Sequence, residues 1–359
     1  MRLLNQSNQP TERLFPLDLL KAISITAVVS YHSVFVPRST YASSLLQMDT
    51  LFASLRFCVP VLFTISFLLF ERGLTNHSTD ACLIKKRLAR LAIPTAFWFS
   101  LTAGLKLLKG NTLPEIINEV LNGTIFYGAY YLLVMLQFVP IFVWLRHWFK
   151  KLQNVLVVVG LQGLIFLLIH LALAMPNGIG IIAILRTIDR PLFAYWFVYM
   201  ALGSYFWKNW SLIVKMSYLI PCQFKIALFC LSCLLLATEY CHLFLISGGQ
   251  VQPFDYAILS SILSVFIIFL CFASVEGKRL FLPIKRVVLL LSKYSLGIFC
   301  INGFISELFL SFGSHQFSGA TFSFPEILVI KLLGWGLLLT LSVGLSMLID
   351  RVGLKACVR

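Results

Sequence analysis

Hydrophobic residues come in long unbroken runs along this chain, and short polar segments punctuate them. The runs lie near residues 14–36, 50–70, 91–109, 127–146, 154–174, 191–207, 226–246, 255–274, 288–310 and 326–349. Each approaches or exceeds the roughly 17–25 residues that a helix needs to cross about 30 Å of hydrocarbon. None alternates with the period of two that marks a barrel strand, so helices must satisfy the backbone within lipid. The intervening stretches carry turn and cap chemistry, as in Asn76-His77-Ser78-Thr79-Asp80, Pro176-Asn177-Gly178 and Ser247-Gly248-Gly249. The pattern predicts an all-α, polytopic membrane protein of about ten transmembrane helices. It reads as one domain over residues 1–359, with polar tails at 1–13 and 350–359. No internal repeat or low-complexity tract divides it.

Composition agrees with this reading. The 359 residues are 59% hydrophobic and only 12% charged, with a mean hydropathy of +0.90. A soluble domain carries about 25% charged residues, so a water-soluble fold is excluded. The net charge of +15 could suggest nucleic acid, but its distribution argues otherwise. With the N-terminus inside, cytoplasmic segments collect Arg2, Arg13, Arg72, Lys85, Lys86, Arg87, Arg90, Arg146, Lys150, Lys151 and the basic residues from Lys208 to Arg359 outside the spans. The opposite loops hold only Arg38, Lys106, Lys109, Arg186 and Arg190. This is the positive-inside pattern, and it places both termini in the cytoplasm of an inner or plasma membrane. No signal peptide or lipidation motif is expected, and the first span should act as an uncleaved anchor. The nine cysteines suggest no disulfide framework, and Cys230-x-x-Cys233 lacks the second ligand pair a metal would need.

Polar residues within the runs are where chemistry is expected, because ionised groups are costly in lipid. The first run is the richest. Lys21 and His32 are eleven residues apart, which brings them within about 20° of one helical face and about 16 Å apart along the axis. Asp18 lies one turn before Lys21 and could pair with it. A snorkelling lysine and an interfacial histidine would also explain the two residues separately. Arg56, at the outer end of the second run, could bind an acceptor, orient a carboxylate, or snorkel. Glu239 and His242 share a face of the seventh run, where Glu239 could orient His32 or form a structural pair. Tyr130, Tyr131 and Gln137 could line a cavity or simply pack.

Three stretches carry a resemblance to acyltransferase family 3, the integral membrane O-acyltransferases of cell-surface polysaccharides. Lys21-x10-His32, preceded by Leu17-Asp18-x-Leu-Lys, resembles the family's opening motif. Arg56-Phe-Cys-Val-Pro60-Val-Leu-Phe63-Thr-Ile-Ser66 is similar to its R-x-x-V-P-x-F-F-x-x-S-G, and Lys86-Arg87-x-x-Arg90-x-x-x-Pro94 to its R-x-x-R-x-x-x-P. Weaker echoes occur at Tyr130-Tyr131 to Pro140, Tyr195-Trp196 to Gly203 and Ser292 to Phe299. The chain departs from the pattern in three places. Phe67 replaces the glycine after Ser66, the Gly128-Ala129 region lacks a histidine, and Asn302 stands where relatives often have a second one.

The resemblance implies transfer of an acyl group, most simply acetyl, from cytoplasmic acyl-CoA to a hydroxyl of a glycan or lipid-linked sugar, without a metal. His32 would be the base, because a sugar hydroxyl is a poor nucleophile near neutral pH. Lys21, Lys86, Arg87 and Arg90 would meet the phosphates of acyl-CoA. Asp18, Arg56, Ser66, Tyr130 and Tyr131 would line the acceptor cavity. A polysaccharide exporter component or proton-coupled transporter is the competing class, although no inverted repeat or matched pair of broken helices supports it. A degenerate subunit or sensor is the third reading.

Overall fold

The computed structural model describes residues 13–76, 80–175, 180–188, 190, 195–317 and 319–359. Two of the expected turns, His77-Ser78-Thr79 and Pro176-Asn177-Gly178, lie outside these residues, as does most of the 1–13 tail. Among the described residues there is no strand, and fifteen α-helices follow one another. They are α1 (Phe15–Tyr31), α2 (Leu45–Ala53), α3 (Cys58–Asn76), α4 (Asp80–Leu108) and α5 (Leu113–Leu121). Next come α6 (Tyr130–Leu145), α7 (Leu152–Ala174), α8 (Gly180–Ile188), α9 (Phe197–Lys208) and α10 (Trp210–Leu219). The last five are α11 (Cys222–Ile246), α12 (Leu259–Phe272), α13 (Leu282–Lys293), α14 (Ser295–Gln316) and α15 (Phe324–Arg351).

Every expected hydrophobic run holds or overlaps a helix. Six described segments are long and apolar enough to cross a membrane: Arg38–Thr75, Ala81–Leu108, Leu152–Ala174, Cys222–Ile246, Ser295–Gln316 and Phe324–Arg351. The helices Tyr130–Leu145 and Leu259–Phe272 are apolar but shorter. The ninth run differs from expectation, because it is broken at Tyr294 into α13 and α14.

The bundle is organised around α1, which packs against α3, α13, α14 and α15. Its side chains from Leu17 to Ser30 are largely buried. By contrast, α7, α11 and α15 present leucines such as Leu161, Leu168, Leu234, Leu333 and Leu337 outward, as a lipid-facing surface requires. Lipid tails give apolar side chains no reason to leave them, so close packing and hydrogen bonds must hold such helices together. Tyr199 and Ser261 share a hydrogen bond of 2.5 Å between α9 and α12. Ser232 donates to Ser264 at 2.8 Å between α11 and α12, and Trp335 Nε1 donates to the Thr26 carbonyl at 2.9 Å, tying α15 to α1.

The C-terminal residues are docked rather than trailing. Trp98 Nε1 donates to the Cys357 carbonyl at 3.1 Å, the Gly297 amide donates to the Val358 carbonyl at 3.2 Å, and Val358 is fully buried.

Candidate active site

His32 caps the C-terminal end of α1. Its backbone N–H donates to the Val29 carbonyl, and its carbonyl accepts from Ser306 Oγ at 2.6 Å. The ring Nδ1 lies 2.5 Å from Asn302 Oδ1. Asn302 is fully buried, and its amide nitrogen donates to the carbonyls of Ile298 and Phe299 at 2.6 and 2.8 Å. With both amide protons used on carbonyls, only the oxygen faces the imidazole, so Nδ1 must be the donor. In the neutral ring this leaves the lone pair on Nε2. The position without a second histidine therefore holds a group that fixes the tautomer of the first.

Gly128 allows the chain to pass close to this ring. Its φ is +90°, and a Cβ there would lie 3.1 Å from the Phe299 ring and 3.6 Å from His32 Cε1. A side chain would be strained by the backbone and crowded by both rings. Tyr127 stacks on His32 with centroids 5.7 Å apart. Tyr31, His32, Gly128, Tyr130, Tyr256 and Phe299 border a cavity of about 20 Å³, enough for about one water molecule.

Next to this cavity is a buried charge cluster. Arg56 Nη1 donates to Asp255 Oδ2 at 2.8 Å and to the Asp255 carbonyl at 3.0 Å. Arg190 grips the same carboxylate with two bonds, of 3.0 and 2.7 Å, the geometry in which guanidinium binds carboxylate best. The Arg56 guanidinium is ringed by Tyr240, Tyr31 and Tyr256, 4.4, 5.3 and 5.6 Å from their centroids. Asp255 lies in the segment joining α11 to α12. Burial pushes its carboxyl up, but Arg190 and then Arg56 outweigh burial and hold it below the usual carboxylate range. Arg56 therefore has a buried carboxylate partner.

A second group of cations surrounds the other end of α1. Lys21 lies within range of the charges of Asp18, Arg87, Arg90 and Arg13. Asp18 does not pair with Lys21 as expected. Arg13 Nε donates to it at 2.5 Å and Ser292 Oγ hydrogen-bonds it as well, so the extended side chain of Arg13 reaches a carboxylate that α13 also contacts. Arg87 Nη2 makes a long contact of 3.4 Å with the Ser66 carbonyl, and the Tyr131 hydroxyl faces the Ser66 side chain. Lys21, Arg87, Ser66 and Tyr131 therefore come together, with Arg90 beside them, while Lys86 is exposed. Among the described residues, no carboxylate lies within ion-pair distance of Lys21, Arg87 or Arg90.

One further expectation needs correction. Glu239 is not the group that orients His32. Its two oxygens accept the backbone N–H groups of Leu259 and Ser260 at 2.6 and 2.7 Å, so it caps α12 from α11, where the first turn has orphan donors. Beside Phe67, which stands where the family pattern has glycine, α3 and α9 approach closely. A Cβ on Gly203 of α9 would lie 2.7 Å from the Thr64 carbonyl and 2.8 Å from Phe67 Cβ. Phe67 is fully buried and packs on Phe63 and Phe142 with centroids 5.0 Å apart in each case.

Several neighbours of these residues carried no signal of their own in the sequence. Asp255 and Tyr256 open the eighth expected run but lie in the connecting segment before α12, Arg190 read only as an outer-loop charge, and Lys331 sits inside an apolar run. Only the cost of a charge within a run could have flagged Lys331.

A comparison with known families matches residues 16–351 to a model described as an acyltransferase domain, that of acyltransferase family 3. No curated protein and no solved structure matches the chain.

Proposed function

The chain belongs to acyltransferase family 3, and from that premise we propose that it moves an acyl group, most simply acetyl, from cytoplasmic acyl-CoA to a hydroxyl of a cell-surface or exported glycan. In this reading ten helices cross an inner or plasma membrane as one domain, with both termini in the cytoplasm. The shorter helices α1, α6, α9 and α12 complete the set with the six long segments, and the basic loops set the orientation.

One observation carries the proposal: the two ends of α1 present complementary chemistry. At one end, Lys21, Arg87 and Arg90 form a cluster with no carboxylate in ion-pair distance among the described residues, suited to the phosphates of acyl-CoA. At the other end, about 16 Å along the axis, His32 borders a cavity with Nε2 available as a base. The thioester would reach from the first site toward the second.

The chemistry then balances without a metal. Nε2 takes the proton of the acceptor hydroxyl as its oxygen attacks the thioester carbonyl, giving a tetrahedral oxyanion. The carbonyl re-forms, the carbon–sulfur bond breaks, and the sulfur leaves with the proton returned by His32. The products are a glycan ester and free coenzyme A. Asn302 holds the ring, and Tyr130, Tyr131, Ser66 and Arg56 shape the space around the path.

The test is acyl transfer in membrane vesicles that expose the cytoplasmic face to labelled acetyl-CoA. Label should enter lipid-linked or polymeric glycan with wild type and be lost with His32→Ala at equal abundance. Label that persists in His32→Ala would overturn the assignment of the base. No transfer from any acyl-CoA would favour the transporter reading.

A further inference from the structure

Lys331, in α15, is 6% exposed. Among the described residues no carboxylate lies within ion-pair distance of its ammonium, and no group accepts a hydrogen bond from it. It lies over the Phe52 ring, 4.1 Å from the centroid. The carboxylate whose charge reaches it, that of Asp49, is already ion-paired with Arg38. A buried ammonium in a membrane-spanning segment ordinarily faces a partner, a cavity or a substrate path.

The surroundings of Lys331 lead to His32. A Cβ on Gly334 would lie 2.3 Å from the Ser33 carbonyl oxygen, so α15 touches the chain directly after His32. Lys331 is one turn before that contact, on the same face of the helix. Phe52, beneath the ammonium, accepts a hydrogen bond at its carbonyl from Tyr31 at 2.5 Å, and Tyr31 borders the His32 cavity. The cations whose charge reaches His32 are Arg190 and Lys331. Arg190 is neutralised by Asp255, whereas Lys331 has no equivalent partner.

We propose that Lys331 forms an anion subsite for the acceptor, binding a carboxylate or phosphate while the attacking hydroxyl lies at His32. The inference rests on the acyltransferase reading above and narrows its acceptor to an anionic one. An ammonium offers three donors and no acceptor, so a compact anion complements it better than a neutral hydroxyl. The anion could belong to an acidic sugar or to the phosphate of a lipid carrier.

Equilibrium binding to the purified full-length protein, without acyl-CoA, tests this. The probes are trigalacturonic acid, its uncharged methyl ester, and a short polyprenyl phosphate. Wild type should bind a charged probe at least about tenfold more tightly than the methyl ester. Preference for trigalacturonate places the anion on the glycan, and preference for polyprenyl phosphate places it on the lipid carrier. Lys331→Gln and Lys331→Met should lose the preference, while Lys331→Arg and His32→Ala keep it, with each variant checked by its melting temperature. A preference unchanged in both Lys331→Gln and Lys331→Met, or absent from wild type, overturns the subsite. Those results leave acyl transfer standing, whereas lost transfer with the preference intact overturns only the acyltransferase mechanism.

Discussion

Asn302 and His32 form a one-way hydrogen bond across α14 and α1. Asn302 Oδ1 faces Nδ1 at 2.5 Å because both protons of its amide are held by the Ile298 and Phe299 carbonyls. The consequence is an imidazole with a fixed tautomer and a free Nε2. Asn302→Leu removes the acceptor and leaves the ring without an orientation. We expect kcat to fall by about 10²-fold, within the range that a positioned general base contributes, with little change in the KM for acyl-CoA. A change confined to KM would contradict this role.

Glu239 gives the opposite expectation. Its carboxylate caps α12, so Glu239→Gln should weaken two charge-assisted bonds and cost about 1 kcal/mol of stability. Acyl transfer per folded molecule should stay near wild type. A large loss of kcat without a lower melting temperature would return Glu239 to the catalytic set.

What the sequence made legible follows from how each feature is encoded. Hydrophobic runs are local, so all-helical character and the regions of the long helices could be read directly. His32 and Lys21 stood out because polar groups in such runs are expensive. The roles of Asp255 and Glu239 were not legible. Asp255 opens an expected run yet lies in the connection before α12, and its partners Arg56 and Arg190 are 199 and 65 residues away. Glu239 has the position of a catalytic acid on its own helix, but its contacts are backbone N–H groups twenty residues on. No side-chain pattern marks those donors. The close approach of α3 and α9 was hidden for a related reason, since it needs a small residue, here Gly203, on only one of the two helices.

The Arg56–Asp255–Arg190 cluster should make stability depend on pH. The Asp255 carboxyl is held below its unfolded range, so its contribution is fully present above the unfolded value. It is lost as pH falls through the folded one. Asp255→Asn leaves two guanidinium groups without their carboxylate and should cost about 3–5 kcal/mol. Melting curves against pH should show a large gap between wild type and variant near neutrality, closing in strong acid. A gap independent of pH would show that the variant acts through packing alone.

Gly203 is predicted to tolerate no side chain. A Cβ would meet the Thr64 carbonyl at 2.7 Å and Phe67 Cβ at 2.8 Å, where α3 and α9 pack. Gly203→Ala should destabilise the protein by about 1–3 kcal/mol through overpacking. Gly160→Ala, with nothing within 4 Å of the added Cβ, is the control and should not lower the melting temperature. Equal melting temperatures for the two variants would mean that α3 and α9 separate at little cost.

The cation cluster at the N-terminal end of α1 makes the last prediction. Arg87 is half-buried beside Ser66, and no carboxylate lies within ion-pair distance among the described residues. Lys86, its neighbour in sequence, is exposed. If the cluster binds the phosphates of acyl-CoA, Arg87→Ala should raise the KM for acyl-CoA by about tenfold, the size of one charge-assisted contact. Lys86→Ala should change it by less than about threefold, because a solvated charge adds little. Arg87→Lys should recover only part of the loss, since an ammonium keeps the charge but not the planar fork. Because Arg87 also touches the Ser66 carbonyl, melting temperatures are needed alongside the kinetics. A raised KM at unchanged stability supports phosphate binding, whereas a lower melting temperature with unchanged KM would make Arg87 a structural link between α3 and α4.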